Sequence, residues 1–293
     1  MKKRITVVAL CFVLTALLCA CTRSAPVKVN GQKISRGVYG YFADIAGKED
    51  SGKTAEDLLK RYIAVNSRFG EAGLVLDASE KKNLADTVDS YWHLYSAYYK
   101  ALDVTRQDYY NIELSKAYEK KLLLNYYSAD GEKPVSDEEL KTYFSENFVA
   151  FRTVTGFLTT VDENNNSVSM SQQQKQSIIN TFNTIANDIN ENGTALLDAS
   201  AQLQDVTMTE DIVVISSSNG YPEGFYDKVK ELENGKSAAF VIGDYVFCVQ
   251  RYEILSEQYG LFSKYRADCL KALKGEEFDS VVDGWAGAYQ VEH

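Results

Sequence analysis

Apolar residues recur at helical spacing along most of the first half of the chain. In four stretches between residues 35 and 127 they return every three or four residues, which is the spacing of one helix face. The third and fourth stretches carry tyrosine-rich stripes: Tyr91, Tyr95, Tyr98 and Leu102, then Tyr110, Leu114, Tyr118, Leu122 and Tyr126. The pattern predicts amphipathic helices whose stripes either pack in a helix–helix core or form an exposed binding surface.

The spacing changes after Asn147, beyond a polar linker at residues 130–134 and a short helix capped by Ser136. In the second half, the pattern predicts a strand at 151–161, a helix at 171–190 with a short helix after it, a strand at 211–215, a helix at 225–232, and two strands at 237–242 and 245–254. This order is typical of an α+β domain of about one hundred residues. A last helix is predicted over residues 256–285.

The N-terminus has the pattern of an export signal. Three basic residues precede an apolar run of 16 residues, from Ile5 to Ala20, which is shorter than the roughly 20 residues of a comfortable membrane span. The run ends in Leu18-Cys19-Ala20-Cys21, which resembles the bacterial lipobox. We therefore expect a signal peptide at 1–20, lipidation of Cys21 and a tether at 21–26. A plain signal peptide or an uncleaved anchor helix are the alternatives.

Composition excludes several function classes. The formal net charge is −10, and such an acidic chain repels nucleic-acid phosphates. The only histidines are His93 and His293, which argues against a histidine metal site or a Ser-His-Asp triad. The sequence has no glycine-rich phosphate loop. We expect no metal, no cofactor, no nucleotide and no nucleic-acid partner.

Two cysteines, Cys248 and Cys269, remain after the predicted processing. Neither lies in a CxxC or metal-ligand spacing, so both are predicted to be buried, unpaired thiols. A single disulfide bridge between them is the alternative in an oxidising compartment.

Three segments, in this order after the lipobox, resemble one family. They are VKVNGQKIS at 27–35, VSDEELKTYF at 135–144, and a region at 225–253 containing LENGKS (232–237) and GDYVFCV (243–249). The arrangement resembles the extracytoplasmic foldases of the SurA/PrsA type. The resemblance implies a mainly helical SurA N-like chaperone domain at 27–145 plus 256–293. It also implies an inserted parvulin-like peptidyl-prolyl isomerase domain at 147–255, with the C-terminal helix returning to the first domain.

The chain departs from the family at the positions that carry isomerase chemistry. The stretch VTGFL at 154–158 lacks the histidine of the family's first strand, and Val246 follows Tyr245 where a second histidine is normal. SSSNG at 216–220 stands where the family has a Gly-Gly-Asp-Leu-Gly-like loop. We therefore expect no catalytic residue. The sequence predicts a degenerate pocket at Phe157, Phe240, Phe247 and Cys248, with Cys248 a packing residue rather than a nucleophile.

The sequence thus predicts a lipid-anchored extracytoplasmic chaperone or foldase that binds unfolded or newly exported polypeptides. The residues predicted to bind such clients are Tyr91, Tyr95, Tyr98, Tyr110 and Tyr118. One alternative is an active peptidyl-prolyl isomerase with an atypical site. A solute-binding lipoprotein is the other, and the helical N-terminal half disfavours it.

Overall fold

The computed structural model describes residues 27–48, 52–218 and 220–293. The predicted signal peptide, tether and Cys21 lie outside these ranges. The chain is of mixed α and β structure, as the sequence predicts. It divides into two compact units: a helical unit that ends at Glu132 and resumes over Gly275–His293, and a sheet unit over Lys133–Lys274. The domain boundaries inferred from the family resemblance stay a prediction.

The helical unit begins with a two-stranded hairpin. Strands β1 (Lys28–Val29) and β2 (Gln32–Lys33) pair antiparallel around Asn30 and Gly31. Both turn residues have positive φ, 46° and 77°, as a type I′ turn requires. The strand near the C-terminus, β10 (Val291–Glu292), pairs with the free side of β1.

Four helices follow the hairpin. They are α1 (Arg36–Lys48), α2 (Ala55–Glu71), α3 (Ala78–Ala101) and α4 (Arg106–Tyr126). Thr54, Asp77 and Thr105 each accept a hydrogen bond from the backbone three residues on, completing capping boxes. The four predicted helices of this half are therefore present.

The sheet unit starts with helix α5 (Asp137–Asn147), whose N-cap Ser136 accepts from the backbone N–H of Glu139 at 3.0 Å. Its other elements in chain order are β3 (Val149–Phe157), β4 (Thr159–Val161), β5 (Ser167–Ser169), α6 (Gln172–Asn192), α7 (Leu196–Ala199), β6 (Thr207–Met208), β7 (Val213–Ile215), α8 (Phe225–Lys230), β8 (Ser237–Ile242) and β9 (Tyr245–Tyr252). The main sheet has the order β6-β3-β9-β8, with β7 also paired to β3, and β4 and β5 form a separate hairpin.

Each face of the main sheet covers its own apolar cluster. One face, with Val154, Val246 and Cys248, packs against Phe182 and Ile185 of α6. The opposite face, with Phe151, Phe247 and Val249, packs against Phe225 and Val229 of α8. The alternation of side chains along a strand separates these two sets, and this alternation decides which candidate residues share a site.

The last helix, α9 (Leu261–Ala286), contains the division between the units. In the sheet unit, Phe262 lies 5.8 Å from Phe144, and the thiol of Cys269 donates to the Leu140 carbonyl oxygen at 3.4 Å. In the helical unit, Phe278 packs edge-on against Tyr126 at 5.7 Å.

Two predicted elements differ clearly from those observed, and two short strands were not predicted. The single strand over 151–161 is two strands, broken at Leu158, whose N–H donates to the Asp244 carbonyl oxygen at 2.8 Å. The last helix starts at Leu261 rather than 256, because turns occupy 256–260 and Gly260 has a φ of 58°. Strands β5 and β6 were not predicted; they are only three and two residues long, too short to show a period.

Candidate functional site

Helix α3 presents four large side chains to solvent. Tyr91, Leu94, Tyr95 and Tyr98, which we call the α3 aromatic surface, are between 42% and 70% exposed. They fall at positions i, i+3, i+4 and i+7, which is one helix face over two turns. The rings of Tyr91 and Tyr95 lie 6.0 Å apart. This face therefore does not form the helix–helix core that the tyrosine stripe also allowed.

The core face of α3 lies on the other side of the same helix. Leu84, Val88 and Tyr99 are buried, and Trp92 stacks on Tyr99 at 5.8 Å. Tyr99 in turn stacks on Tyr109 of α4 at 4.5 Å. Because these aromatic residues fill the interface with α4, the α3 aromatic surface remains outside that interface.

Tyr98 is held in place by polar partners on α1. Its hydroxyl donates to the Asp44 carboxylate and accepts from Lys48 Nζ at 2.6 Å. The Lys48 ammonium lies 4.6 Å from the centre of the Tyr98 ring, within cation–π range. The hydrogen bonds from Tyr98 and Lys48 lower the pKa of Asp44. This edge of the α3 aromatic surface is therefore fixed.

The structure separates the five tyrosines predicted to bind clients. Tyr91, Tyr95 and Tyr98 share the α3 aromatic surface, which also includes Leu94, a residue that sequence reasoning missed. Tyr110 and Tyr118 are half-buried on α4. Tyr118 stacks on Phe69 of α2 at 3.8 Å, so its ring contributes to helix packing.

The predicted isomerase pocket is a packed aromatic cluster. Phe247 is buried, Phe240 is half-buried, and both rings contact Phe225 of α8, at 5.0 and 5.7 Å. Phe225 also stacks on Tyr221 at 4.2 Å. Phe157 stays 43% exposed at the strand end, outside this stack, and its ring lies 5.6 Å from Tyr245.

Cys248 does not join Phe240 and Phe247. It is fully buried on the opposite face of the sheet, and its sulfur lies 3.6 Å from the Ser237 hydroxyl. Burial raises the pKa of its thiol to about 11, so the reactive thiolate is scarce at neutral pH. The grouping of Cys248 with the phenylalanine pocket is therefore corrected, and its packing role agrees with its environment. Cys248 and Cys269 are both free, as the sequence predicts.

The sheet unit holds no imidazole, because His93 and His293 both belong to the helical unit. His93 is exposed on α3, and His293 lies 2.9 Å from Glu56. Within the described ranges, no group of three or more His, Cys, Asp or Glu side chains is placed to hold a metal ion. None of the helices in the same ranges is long and apolar enough to cross a membrane.

A cleft that sequence reasoning missed lies on the α6 side of the sheet unit. It encloses about 490 Å³, and its apolar lining includes Phe157, Met170, Ile178, Phe182, Leu203 and Val206. Its lining comes from four separate segments, so no local pattern marks it. Gly156 is the nearest signal: a Cβ there would meet the Phe182 ring at 2.8 Å.

The fold and these surfaces define an α+β protein with a helical unit that exposes aromatic side chains and a small antiparallel sheet unit. No protein-family model matches the sequence. No characterised protein matches it significantly.

Solved structures to which this chain is similar include those of the foldase protein PrsA from three organisms. The Streptococcus pneumoniae protein has 12% sequence identity and a TM-score of 0.44, over 84% of this chain and 87% of its own. The Lactococcus lactis protein has 14% identity and a TM-score of 0.40, over 90% of each chain. PrsA from Bacillus subtilis has 12% identity and a TM-score of 0.33, over 88% of each chain.

Proposed function

We propose that the protein is an extracytoplasmic chaperone of the foldase type that binds unfolded or newly exported polypeptides. The α3 aromatic surface is the binding site in this proposal. Its exposure is the observation that carries the proposal, since exposed apolar groups of this size on one helix face indicate an interaction surface.

The chemistry of this surface suits clients without a common sequence. Tyrosine combines a large apolar ring with a hydroxyl, and it loses little conformational entropy on binding. Tyr91, Tyr95 and Leu94 offer apolar area for the side chains of an unfolded segment. Lys48 and Asp44 bond to Tyr98 at the edge and hold its ring in place beside this area.

The order of family-like segments supports the same class of function. The lipobox-like sequence ending in Cys21 supports an export route and a lipid anchor at the cell membrane. Two or three acyl chains would make such anchoring stable, because each buried methylene contributes about 0.8 kcal/mol. The proposal needs no nucleotide, metal or cofactor.

The proposal gives the sheet unit no isomerase activity. Rotation about a prolyl bond has a barrier of about 18–20 kcal/mol, and lowering it requires a shaped site with placed hydrogen-bonding groups. Phe240 and Phe247 instead contact Phe225, and the unit lacks histidine. This arrangement supports a degenerate site.

Site-specific photo-crosslinking tests where clients bind. Benzoylphenylalanine replaces Tyr95 in one version of the protein and Tyr259 in another, since both tyrosines are exposed. Each version is irradiated with a reduced, permanently unfolded model protein. We expect crosslinks at position 95 and few at position 259. Equal yields at the two positions would contradict the assignment of the α3 aromatic surface.

A further inference from the structure

The cleft of the sheet unit is bordered along one side by strand β4. All three residues of β4, Thr159, Thr160 and Val161, line it. Successive side chains of a strand point to opposite faces, so Thr159 and Thr160 reach the cleft from different faces of β4 and the cleft extends to the strand edge. Ser167 of β5, the cross-strand partner of Val161, also lines the cleft, which therefore continues under the face that Val161 and Ser167 share.

That edge has no strand partner in the described part of the chain, where β4 pairs with β5 alone. The N–H of Asp162 donates to the Asn166 carbonyl oxygen, and the Leu158 carbonyl oxygen accepts from the N–H of Met170. In this segment the backbone N–H and C=O groups of the even-numbered residues therefore point towards β5. The backbone N–H and C=O of Thr159 and Val161 then point to the open edge, by the alternation of an antiparallel ladder. An open edge of this kind is a template for one more strand.

The floor of the cleft accepts an apolar side chain. The ring of Phe182 lies against Gly156, where the absence of a Cβ leaves room for it, and Ile178 and Met170 add apolar walls. A volume of about 490 Å³ is within the range of pockets that bury a ligand group. Methionine adapts its shape, which suits an occupant of variable sequence.

The charges around the cleft are acidic. Asp205 lines it, and Asp162 and Glu163 lie in the turn that joins β4 to β5. No lysine or arginine is among the lining residues, and Lys175 near the start of α6 is outside the lining. An occupant with basic residues beside its apolar side chain complements this rim.

We propose that the open edge of β4 binds an extended polypeptide segment as an added strand, with one apolar side chain of the segment in the cleft and basic residues flanking it. Main-chain hydrogen bonds to Thr159 and Val161 supply affinity, and the cleft supplies selectivity. This site is separate from the α3 aromatic surface and does not depend on it. It gives the sheet unit a binding role that needs no isomerase chemistry.

Peptide binding to the purified full chain tests the proposal. The probe is a fluorescent peptide with a central phenylalanine among valines and threonines and a lysine at each end. Fluorescence anisotropy gives the Kd of this peptide and of two altered peptides. In one, serine replaces the phenylalanine; the other is N-methylated at alternate backbone positions. Each change should weaken binding by about tenfold or more, because it removes an apolar anchor or the strand hydrogen bonds. Equal Kd values for the N-methylated peptide and the probe would overturn strand addition.

A matched pair of variants locates the site on the protein. Thr181 and Thr184 are both exposed on α6, and each hydroxyl bonds a backbone carbonyl four residues earlier. Only Thr181 lines the cleft. Thr181→Trp should fill the cleft and weaken binding by about tenfold, whereas Thr184→Trp should leave it unchanged. Equal effects of the two substitutions would overturn the proposal.

Amide hydrogen exchange supplies a readout that does not depend on a variant. Saturating peptide should slow exchange at Thr159 and Val161, whose N–H groups would be bonded in the added strand. No saturable binding of the lysine-ended probe, or binding without slower exchange at these two residues, would also overturn the proposal.

Discussion

At Gly156 the backbone of β3 lies directly against an aromatic ring. A Cβ at this position would meet the Phe182 ring at 2.8 Å and a methyl group of Val246 at 3.1 Å. Both neighbours are buried, so neither can move without disturbing the packing around it. The glycine is therefore needed for close packing, since its φ is not in the left-handed region.

Gly156→Ala should accordingly destabilise the sheet unit by about 1–3 kcal/mol, which is typical of overpacking. Urea unfolding of the purified protein, followed by circular dichroism, measures the change. Gly284→Ala is the matched control, because Gly284 is an exposed helical glycine and a Cβ there would point into open space. The control should be neutral or stabilising by up to about 1 kcal/mol. A stability loss at Gly284 equal to that at Gly156 would refute the packing argument.

Among the elements, α2, α4 and α9 are joined by one arginine. Arg61 of α2 pairs with Glu119 of α4 at 2.5 Å, and with Asp279 and Asp283 of α9 at 2.5 and 3.1 Å. Lys53 adds a second cation at 2.8 Å from Asp283. Burial alone would lower the pKa of Arg61, but the carboxylates outweigh burial and raise it. The network fixes the C-terminal part of α9 within the helical unit.

Arg61→Met should destabilise the helical unit by about 1–3 kcal/mol, because it leaves three carboxylates close together without their shared partner. The control is Lys82→Met, which breaks a fully surface pair with Asp86 and should cost less than about 0.5 kcal/mol. Thermal unfolding measures the loss of stability of each variant relative to the unaltered protein. Equal losses would show that the Arg61 network contributes no more than a surface ion pair.

The same network predicts a pH dependence. Burial alone would raise the pKa of Asp283, but hydrogen bonds from Lys53 and Arg61 lower it from its usual 3.8. The folded pKa is thus below the unfolded one, so the stabilisation is present above about pH 4 and is lost as the pH falls through the folded pKa. Asp283→Asn should flatten the loss of stability below that pH, as measured by thermal unfolding across a pH series.

The helix and strand pattern of the sequence predicts most of the elements, but not which face of α3 is buried. Both faces of that helix carry aromatic residues, so periodicity alone is compatible with burial of either face. The buried face is fixed by the stack of Trp92 and Tyr99 on Tyr109 of the next helix, a tertiary contact that the periodicity of α3 alone does not reveal.

The candidate sites were predictable to different degrees for the same reason. Tyr91, Tyr95 and Tyr98 could be selected because they share one helix. The separation of Cys248 from Phe247 follows from strand alternation, which is legible in the sequence once the strand is assigned. The cleft beside β4 required the three-dimensional position of α6 and the loop at residues 203–206.

For the whole molecule, the proposed lipid anchor makes a direct prediction. Cys21→Ser should abolish incorporation of labelled fatty acid and release the protein from the membrane or stall its precursor. Cys269→Ser is the control, since that thiol is buried in the sheet unit. Labelling that persists in Cys21→Ser would refute the lipobox assignment.

The proposal also predicts no measurable prolyl isomerase activity. Acid–base or hydrogen-bond assistance typically contributes about 10²–10⁴-fold to an enzyme rate, and the sheet unit lacks the histidines that would supply it. A protease-free assay with a proline peptide and the purified protein measures the rate. Acceleration well above the uncatalysed rate would favour the alternative of an active isomerase with an atypical site.

The central claim is that the α3 aromatic surface holds unfolded polypeptide, and suppression of aggregation tests it most directly. The purified protein, its Tyr91→Ser/Tyr95→Ser variant and its Tyr245→Ser/Tyr259→Ser variant are each added to an unfolded model protein, and light scattering is followed. All four tyrosines are exposed, so the two variants lose comparable surface. We expect suppression by the unaltered protein and by the Tyr245/Tyr259 variant, and loss of most suppression in the Tyr91/Tyr95 variant. No suppression by the unaltered protein, or equal suppression by both variants, would contradict the account.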